Sequence, residues 1–389
     1  MLYFDHNATT FVAPEVADTM AAAVRQVFGN ASSTHREGQL SRHQLEKSRQ
    51  TVAEFLHASP ADFVFTSGGT ESNNLAIRGL LRKMSSARPH VITATIEHPS
   101  VLESCRELER EGVDVSYVGV NSEGLLDVDE IRRSIRPETM LISVMHANNE
   151  VGTIQPIREI AEVVRERRDA GQVIFFHADG VQAFGKIESD VQQLGVDLYS
   201  ISGHKIFAPK GIGGLYVRKG TPLRGIQFGG RHERERRAGT ENVPGAMAVA
   251  TAVELCASAS DTHLSALRDY FEAEVRSRLG DIEVNGAINS RLPNTSNLLF
   301  RSVSAEALVI ALDMKDVAVS TGSACSSGSV EPSHVLLAMG RSHQEARSSV
   351  RFSMGRYNTA EDVRTLIETV VVSVLKLRIA ARWEKPVLV

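Results

Sequence analysis

The chain has 389 residues, 42% of them hydrophobic, which is enough for one large domain or for two domains with cores of their own. Its 43 lysines and arginines are offset by 47 aspartates and glutamates, so neither nucleic-acid binding nor an acidic disordered chain is favoured, and a small-molecule partner is expected. No apolar run approaches the ~18 residues of a membrane span, and Asp5 and His6 come before any apolar stretch of signal-peptide length, so we expect a cytoplasmic protein.

Short β-rich segments alternate with helical patterns in the first part of the chain. Strands are predicted over residues 63–65, 91–96, 140–145, 173–176, 198–201 and 214–217, and helical patterns separate most of them. This alternation is typical of a parallel sheet flanked by helices, so the predicted fold class is α/β. We assign residues 15–245 to this large domain.

The pattern changes in the last third of the chain. Helices are predicted over 246–256 and 263–279, and strand-like segments over 298–300, 317–319 and 350–353. The last helix has Thr359 as its N-cap and Asp362 three residues later, and its apolar side chains then recur on one face, which we expect to pack on the small sheet. We assign residues 1–14 and 246–389 to a smaller α+β domain.

The three cysteines are too far apart in sequence for a paired-cysteine metal site, and their odd number argues against a disulfide framework. Cys105 and Cys256 lie in helical patterns, where a buried thiol packs as a small apolar side chain. Cys325 lies in a serine- and glycine-rich stretch, residues 320–329, where flexibility is expected. No metal site is predicted.

One arginine-rich segment could suggest nucleic-acid binding. It reads H-E-R-E-R-R at residues 232–237, and its arginines are interleaved with Glu233 and Glu235. Such alternation is typical of a solvated or interface loop. His232 and Glu233 also lack the second histidine of a zinc-protease helix, so the segment predicts neither nucleic-acid nor metal binding.

Residues 66–71, T-S-G-G-T-E, follow a predicted strand and open a predicted helix. Free backbone N–H groups and hydroxyls converge at such a helix start and can hold an anion such as phosphate. A glycine-rich turn can also serve only to reverse the chain. The motif alone leaves both interpretations open.

Two further motifs lie at the ends of predicted strands, where open α/β sheets bind their ligands. Asp179 lies in H-A-D-G-V-Q, residues 177–182, and Lys205 ends S-G-H-K, residues 202–205. A lysine in this position is usually a solvated surface residue. Here it occurs together with a turn that could bind phosphate and with Asp179, an acid that could pair with a pyridinium nitrogen. The lysine itself can form a Schiff base. Pyridoxal phosphate needs these three groups from its protein.

These motifs belong to a longer ordered series. Its blocks are D-H-N-A-T-T (5–10), F-G-N-A-S-S (28–33), T-S-G-G-T-E-S-N-N (66–74), E-H-P (97–99), H-A-N-N-E-V-G (146–152), H-A-D-G-V-Q (177–182), S-G-H-K (202–205), R-A-G-T-E-N (237–242), T-G-S-A-C-S-S-G-S (321–329) and S-V-R-F-S (349–353). With this series nearly the whole chain resembles the fold-type I pyridoxal-phosphate enzymes of the aminotransferase class V group, specifically cysteine desulfurases of the iron-sulfur-cluster or nitrogenase-assembly type. The resemblance implies a large, mainly parallel-sheet domain beside a smaller α+β domain.

The resemblance also implies a role for each matched residue at the cofactor. Lys205 binds pyridoxal 5'-phosphate covalently and moves the Cα proton, Asp179 pairs with the ring nitrogen, and His98 lies over the ring and takes part in acid–base steps. The other contacts are Gly69, Thr70, Ser202, His204 and Thr240 for the phosphate, and Gln182 and Asn149 for the ring hydroxyl. Thr240 reaches in from a partner subunit, which implies a homodimer.

The substrate implied by the resemblance is L-cysteine, held by Asn149 and Arg351. A planar guanidinium suits a bidentate pair with the substrate carboxylate, and the apolar neighbours of Arg351 predict a half-buried strand. Cys325 takes the substrate sulfur as a persulfide and delivers it to a sulfur acceptor or iron-sulfur scaffold protein. A mobile loop, about 320–332, serves both steps because a rigidly held thiol could hardly reach both sites.

Two alternatives stay open at this point. A different pyridoxal-phosphate reaction, such as transamination or selenocysteine cleavage, shares every cofactor residue and differs at Cys325. A non-catalytic sulfur-trafficking partner retains the fold alone, and the presence of both Lys205 and Asp179 argues against it.

Overall fold

The structure is a computed structural model that describes residues 1–84, 88–257, 262–321 and 331–383. Within these ranges, no helix combines the length and the apolar character that a membrane span requires. The helices are α1 (Pro14–Gln26), α2 (Arg36–Phe55), α3 (Gly69–Leu81), α4 (Pro99–Arg110), α5 (Val128–Ser134), α6 (Ile157–Asp169), α7 (Val191–Leu194), α8 (Val243–Ala257), α9 (Thr262–Leu279), α10 (Ala305–Asp313), α11 (His334–Ala338), α12 (His343–Ala346) and α13 (Ala360–Trp383). The strands are β1 (Leu2–Tyr3), β2 (Phe63–Thr66), β3 (His90–Ala94), β4 (Asp114–Val118), β5 (Thr139–Met145), β6 (Phe175–Asp179), β7 (Leu198–Ser202), β8 (Gly213–Val217), β9 (Ile282–Val284), β10 (Thr295–Phe300), β11 (Val317–Ala318) and β12 (Ser349–Ser353). Cys325 lies outside the described residues.

The largest sheet in the described chain has seven strands in the order β2-β8-β7-β6-β5-β3-β4. Neighbours from β7 to β4 pair in parallel, whereas β8 is antiparallel to both β2 and β7. Every residue of β5 is buried, as expected of a parallel strand that is covered on both faces. The predicted α/β class with a mainly parallel sheet is confirmed.

Two strands of this sheet differ from the sequence prediction because of their polar residues. The pattern predicts β6 at 173–176, but the strand continues to Asp179, since the buried His177 ring is bonded to the hydroxyls of Ser143 and Ser200 at 2.8 and 2.9 Å. A satisfied polar side chain can therefore continue a core strand. The edge strand β4 is half-exposed and lacks an apolar run, so the pattern misses it.

The second part of the fold is built on a three-stranded sheet, β12-β10-β9, and the pair β1-β11. Helix α13 begins after Thr359, whose Oγ1 accepts the Asp362 N–H at 3.1 Å while the Asp362 carboxylate accepts the Thr359 N–H at 2.8 Å. The apolar face of α13 packs in one core with residues of β10 and β12: Val363, Leu366, Ile367, Val370, Val371 and Val374 against Leu298, Phe300, Val350 and Phe352. The sequence predicted both this cap and this packing.

Helix α8 packs with the large domain. Its buried residues Ala246, Val249 and Val253 share a core with apolar residues of α1, α2 and the central sheet. The boundary expected after residue 245 would assign α8 to the small domain. We propose that the large domain extends through α8, because a helix belongs with the core that buries its apolar face.

Both described cysteines lie in helices, as the sequence predicts. Cys105 of α4 is fully buried, and burial raises the pKa of its thiol to about 12, so it stays protonated and inert. Cys256 of α8 is half-buried and lines a cavity. It is therefore less completely packed than the helical pattern suggests.

The segment 232–237 is only partly the solvated loop that its charges predict. Glu233 is buried, and its carboxylate oxygens accept hydrogen bonds from Arg49 at 2.6 and 2.8 Å and from the Phe65 N–H at 3.0 Å. Arg234 and Glu235 are exposed. The buried partner of Glu233 lies on the distant helix α2, so the local alternation of charges cannot reveal it.

Glu233→Gln is expected to lower the free energy of unfolding by up to about 3 to 5 kcal/mol, because it removes the buried carboxylate that pairs with Arg49 and leaves this buried charge with the exposed Glu46 at 3.3 Å. Glu235→Gln makes the same change at an exposed position and should cost less than about 0.5 kcal/mol. The measurement is the urea unfolding midpoint of both variants. Equal midpoints would show that the buried pair does not stabilise the fold.

Candidate active site

Most of the predicted site residues lie around one cavity of about 300 Å³ at the carboxyl ends of β5, β6 and β7. Met145, Asp179 and Ser202, the last residues of these strands, all line it. The predicted residues on its wall are Gly69, Thr70, His98, Asn149, Asp179, Gln182, Ser202, His204, Lys205 and Arg351. Open α/β sheets bind their ligands at this edge.

The N-terminus of α3 lies at the cavity. Gly68, just before the helix, has a φ of +151°, a conformation that favours glycine, and a Cβ on Gly69 would come within 2.7 Å of a Val181 methyl group. No side chain caps the helix, and the buried Ser202 hydroxyl has no hydrogen-bond partner among the described residues. Unused N–H groups beside an unused hydroxyl fit an anion such as a phosphate group.

Lys205 lies in the short 3-10 turn Gly203–Lys205 that follows β7. Its Nζ donates hydrogen bonds to the carbonyl oxygens of Asn7 and Ala8, at 2.6 and 2.7 Å. His204 precedes it, and burial, followed by the charge of Lys205, lowers the pKa of this imidazole to about 4. The turn therefore supplies the cavity with an amine and an imidazole that is neutral at pH 7.

Asp179 is buried at the end of β6. One carboxylate oxygen accepts the Val181 N–H at 3.0 Å, and the other accepts Asn73 Nδ2 at 2.7 Å. Because Asn73 lies on α3, the helix that presents the anion-binding end also orients the acid. A carboxylate fixed in this way can keep a proton on a nitrogen that faces it.

His98 is the N-cap of α4, and not the end of a strand as predicted, because β3 already ends at Ala94. Its Nδ1 accepts the Ser100 N–H at 3.1 Å, so the proton of the neutral ring lies on Nε2. Burial lowers the pKa of His98, while the charge of Asp179 acts in the opposite direction. His98 is therefore a neutral Nε2–H donor at neutral pH.

Arg351 lies in β12, and its side chain is only 3% exposed, so this strand is more deeply buried than predicted. The guanidinium binds the Asp5 carboxylate at 2.6 Å and donates to the Asn149 carbonyl oxygen at 3.0 Å. Its Nε has no partner within the described ranges. Arg351 thus reaches the cavity already paired with an acid, which the sequence pattern does not reveal.

Two predicted residues are not on the wall of this cavity. Thr240 is exposed on the segment between β8 and α8, and Cys325 is outside the described residues. The wall also includes residues to which the sequence analysis gave no role: Asn7, Ala8, Asn73, Ser100, Met145, Ala147 and Val181. Asn7 and Asn73 stand inside matched sequence blocks, which was the available signal. No group of three or more metal-binding side chains occurs in the described part of the chain.

Known proteins are similar to this chain over nearly its whole length. The Aminotransferase class-V family matches residues 2–366. A cysteine desulfurase IscS of Dictyoglomus turgidum is 43% identical over 387 residues, which cover 99% of this chain and 97% of that protein. A cysteine desulfurase of Nostoc is 44% identical over 381 residues, 97% of this chain and 94% of that protein. The chain therefore belongs to the class-V aminotransferase family and, within it, to the cysteine desulfurases.

Solved structures share the fold. A NifS-like protein has a TM-score of 0.90 at 35% identity, covering 96% of this chain and 99% of its own. A structure described as SspA in complex with cysteine has a TM-score of 0.82 at 36% identity, covering 92% of this chain and 100% of its own. The predicted family, fold type and enzyme class are confirmed.

Proposed function

We propose that the cavity binds pyridoxal 5'-phosphate. The N-terminus of α3 and the Ser202 hydroxyl supply donors for the phosphate, Asp179 supplies an acid for the ring nitrogen, and Lys205 supplies the amine. These three elements line the same cavity, and this is the observation that carries the proposal. The groups assigned to the phosphate end are Gly69, Thr70, Ser202 and His204, and those assigned to the ring hydroxyl are Asn149 and Gln182.

Bound pyridoxal phosphate supplies an electron sink for the charge that develops at the substrate's Cα. Lys205 would hold the cofactor covalently, and its amine would move the proton at the substrate's Cα. Asp179, oriented by Asn73, keeps a proton on the ring nitrogen. His98 holds on Nε2 a proton that it can donate in acid–base steps.

We assign the sulfur transfer to Cys325 and the binding of L-cysteine to Arg351 and Asn149. The Cys325 thiolate attacks the sulfur of the bound cysteine, so that a new S–S bond forms and the substrate's C–S bond breaks. The substrate carbon keeps the electron pair and takes up a proton, which leaves alanine and a persulfide on Cys325. A structural neighbour described in complex with cysteine supports this choice of substrate.

We further propose a homodimer in which Thr240 of the partner subunit completes the phosphate site. Its exposure, away from the cavity of its own chain, supports this assignment. The persulfide then passes to a sulfur acceptor, such as an iron-sulfur scaffold protein. The cytoplasmic location stays a prediction of the sequence.

The product assay tests the proposed reaction. Protein loaded with pyridoxal phosphate is expected to convert L-cysteine into equal amounts of alanine and, with a thiol reductant present, sulfide. Protein stripped of the cofactor should form neither product. Formation of a keto acid without alanine would contradict the proposal and favour another reaction of the cofactor, such as transamination.

Arg351→Ala is expected to raise the L-cysteine concentration for half-maximal rate by about 30-fold or more, because loss of one partner of a buried charged pair costs about 2 to 5 kcal/mol. The absorption of the bound cofactor should be unchanged. Arg356→Ala is the matched control, since Arg356 lines the neighbouring cavity. An effect confined to Arg356→Ala would transfer the role to that residue.

A further inference from the structure

Lys186 is a half-buried residue beside the candidate active site. Its amine has no role in the proposed reaction. Lys186 lies in the turn that follows β6, residues 181–186, and lines a second cavity of about 250 Å³, whose wall also includes Lys205. Its Nζ donates to two amide oxygens, Gln182 Oε1 at 2.7 Å and Asn7 Oδ1 at 3.2 Å. It therefore touches two residues that line the cofactor cavity.

The bond from Lys186 fixes which way the Gln182 amide points. A lysine amine offers hydrogens to its neighbours, so the amide must turn its oxygen towards Lys186 and its NH2 group away. One hydrogen of that NH2 group goes to the Asn7 carbonyl oxygen at 2.9 Å. The other is left for a ligand in the cavity that Gln182 lines.

Asn7 is the second residue that Lys186 contacts, and it is itself fixed by several hydrogen bonds. Its Oδ1 accepts from Lys186 and from Asn294 Nδ2, and its Nδ2 donates to Thr295 Oγ1 at 2.8 Å. These bonds fix the segment whose carbonyl oxygen receives the Gln182 NH2 group. Both contacts of Lys186 therefore converge on Gln182.

We propose that Lys186 is a positioning residue that makes Gln182 present an N–H donor to the ring oxygen of the bound cofactor. The inference rests on the proposed function. Within the described ranges no carboxylate is hydrogen-bonded to the side chain, and the titratable groups that interact with its charge include Lys205, Arg351, Cys256 and His6. Burial, followed by the charges of Lys205 and Arg351, lowers the pKa of Lys186 well below its usual range. Both protonation states keep N–H donors, and the bond from the Gln182 NH2 group to the Asn7 carbonyl oxygen keeps the amide oxygen towards Lys186 in either state.

Lys186→Met keeps most of the chain length and removes the donors. We expect the dissociation constant for pyridoxal phosphate to rise about tenfold, as on loss of a hydrogen bond to a charged group. A donor near the ring oxygen favours its deprotonated form, so the pH midpoint of the cofactor's absorption change should rise by up to about one unit. Lys219→Met, at an exposed lysine, is the control and should change neither quantity.

A double-mutant cycle decides whether Lys186 acts through Gln182. In a Gln182→Ala background, Lys186→Met should change the dissociation constant by less than about twofold. The same tenfold rise in both backgrounds would overturn the proposal. If Lys186→Met does not fold, the shorter donor variant Lys186→Gln takes its place in the cycle. We then expect a smaller rise in the dissociation constant, and an unchanged constant would count against the proposal. Failure of the wild type to bind pyridoxal phosphate would instead reject the proposed function.

Discussion

We expect Lys205→Ala to abolish the covalent attachment of pyridoxal phosphate and to lower the rate of L-cysteine turnover by about 10² to 10⁴-fold or more, since a positioned proton-transfer group usually contributes a factor of this size. The loss has two causes, because Lys205 is both the proposed attachment point and the proposed group that moves the Cα proton. The fold should remain intact, because the segment at Asn7 and Ala8, to which Nζ donates, is also held by the bonds of Asn7 to Ser353 and Thr295.

Borohydride reduction followed by peptide mapping measures the attachment directly. In wild-type protein we expect a stable adduct on the peptide that carries Lys205, and in the variant none. Lys219→Ala, at an exposed lysine, should behave as the wild type. A reducible adduct at another lysine of the Lys205→Ala protein would show that the assignment is wrong.

Cys325→Ala is expected to leave cofactor binding and the spectral response to L-cysteine intact and to lower alanine and sulfide formation by about a thousandfold or more, as expected on removal of a nucleophile. Lys205, His98 and Arg351 are unchanged in this variant, so the chemistry should stop at sulfur transfer. Only the thiolate is nucleophilic, and a free thiol has a pKa of about 8.5. The activity of the wild type should therefore rise as the pH increases towards that value.

Cys105→Ala is the matched control for this substitution. Its thiol is fully buried and has a pKa raised to about 12 by burial, so it cannot serve as a nucleophile at neutral pH. This variant should keep its activity, although the small cavity left by the thiol lowers its stability. Full desulfuration by Cys325→Ala protein would contradict the proposed sulfur transfer and favour another reaction of the cofactor.

The sequence was most informative where chemistry is concentrated in short blocks. Asp179 ends one strand and Lys205 follows the next, and their neighbours in sequence predict this place at the sheet edge, so both could be assigned to one cavity without coordinates. The capped start of α13 was equally predictable, because Thr359 and Asp362 bond each other across one helical turn.

The contacts that orient these groups were not predictable, because they join distant parts of the chain. Asp5 reaches Arg351, Asn73 reaches Asp179, and Glu233 reaches Arg49. Neither the hydrophobic periodicity nor the charge pattern of a short segment reveals such a pairing. The tautomer of His98 could not be predicted either. The bond from the Ser100 N–H to Nδ1 determines which ring nitrogen carries the proton, and the sequence pattern does not reveal this bond.

The mass of the Cys325 peptide after brief treatment with L-cysteine tests the central claim most directly. The loaded wild type should gain the mass of one sulfur atom on this peptide, and a thiol reductant should remove it. The Cys105 peptide should gain nothing. Turnover of L-cysteine to alanine with no added sulfur on Cys325 would contradict the persulfide mechanism.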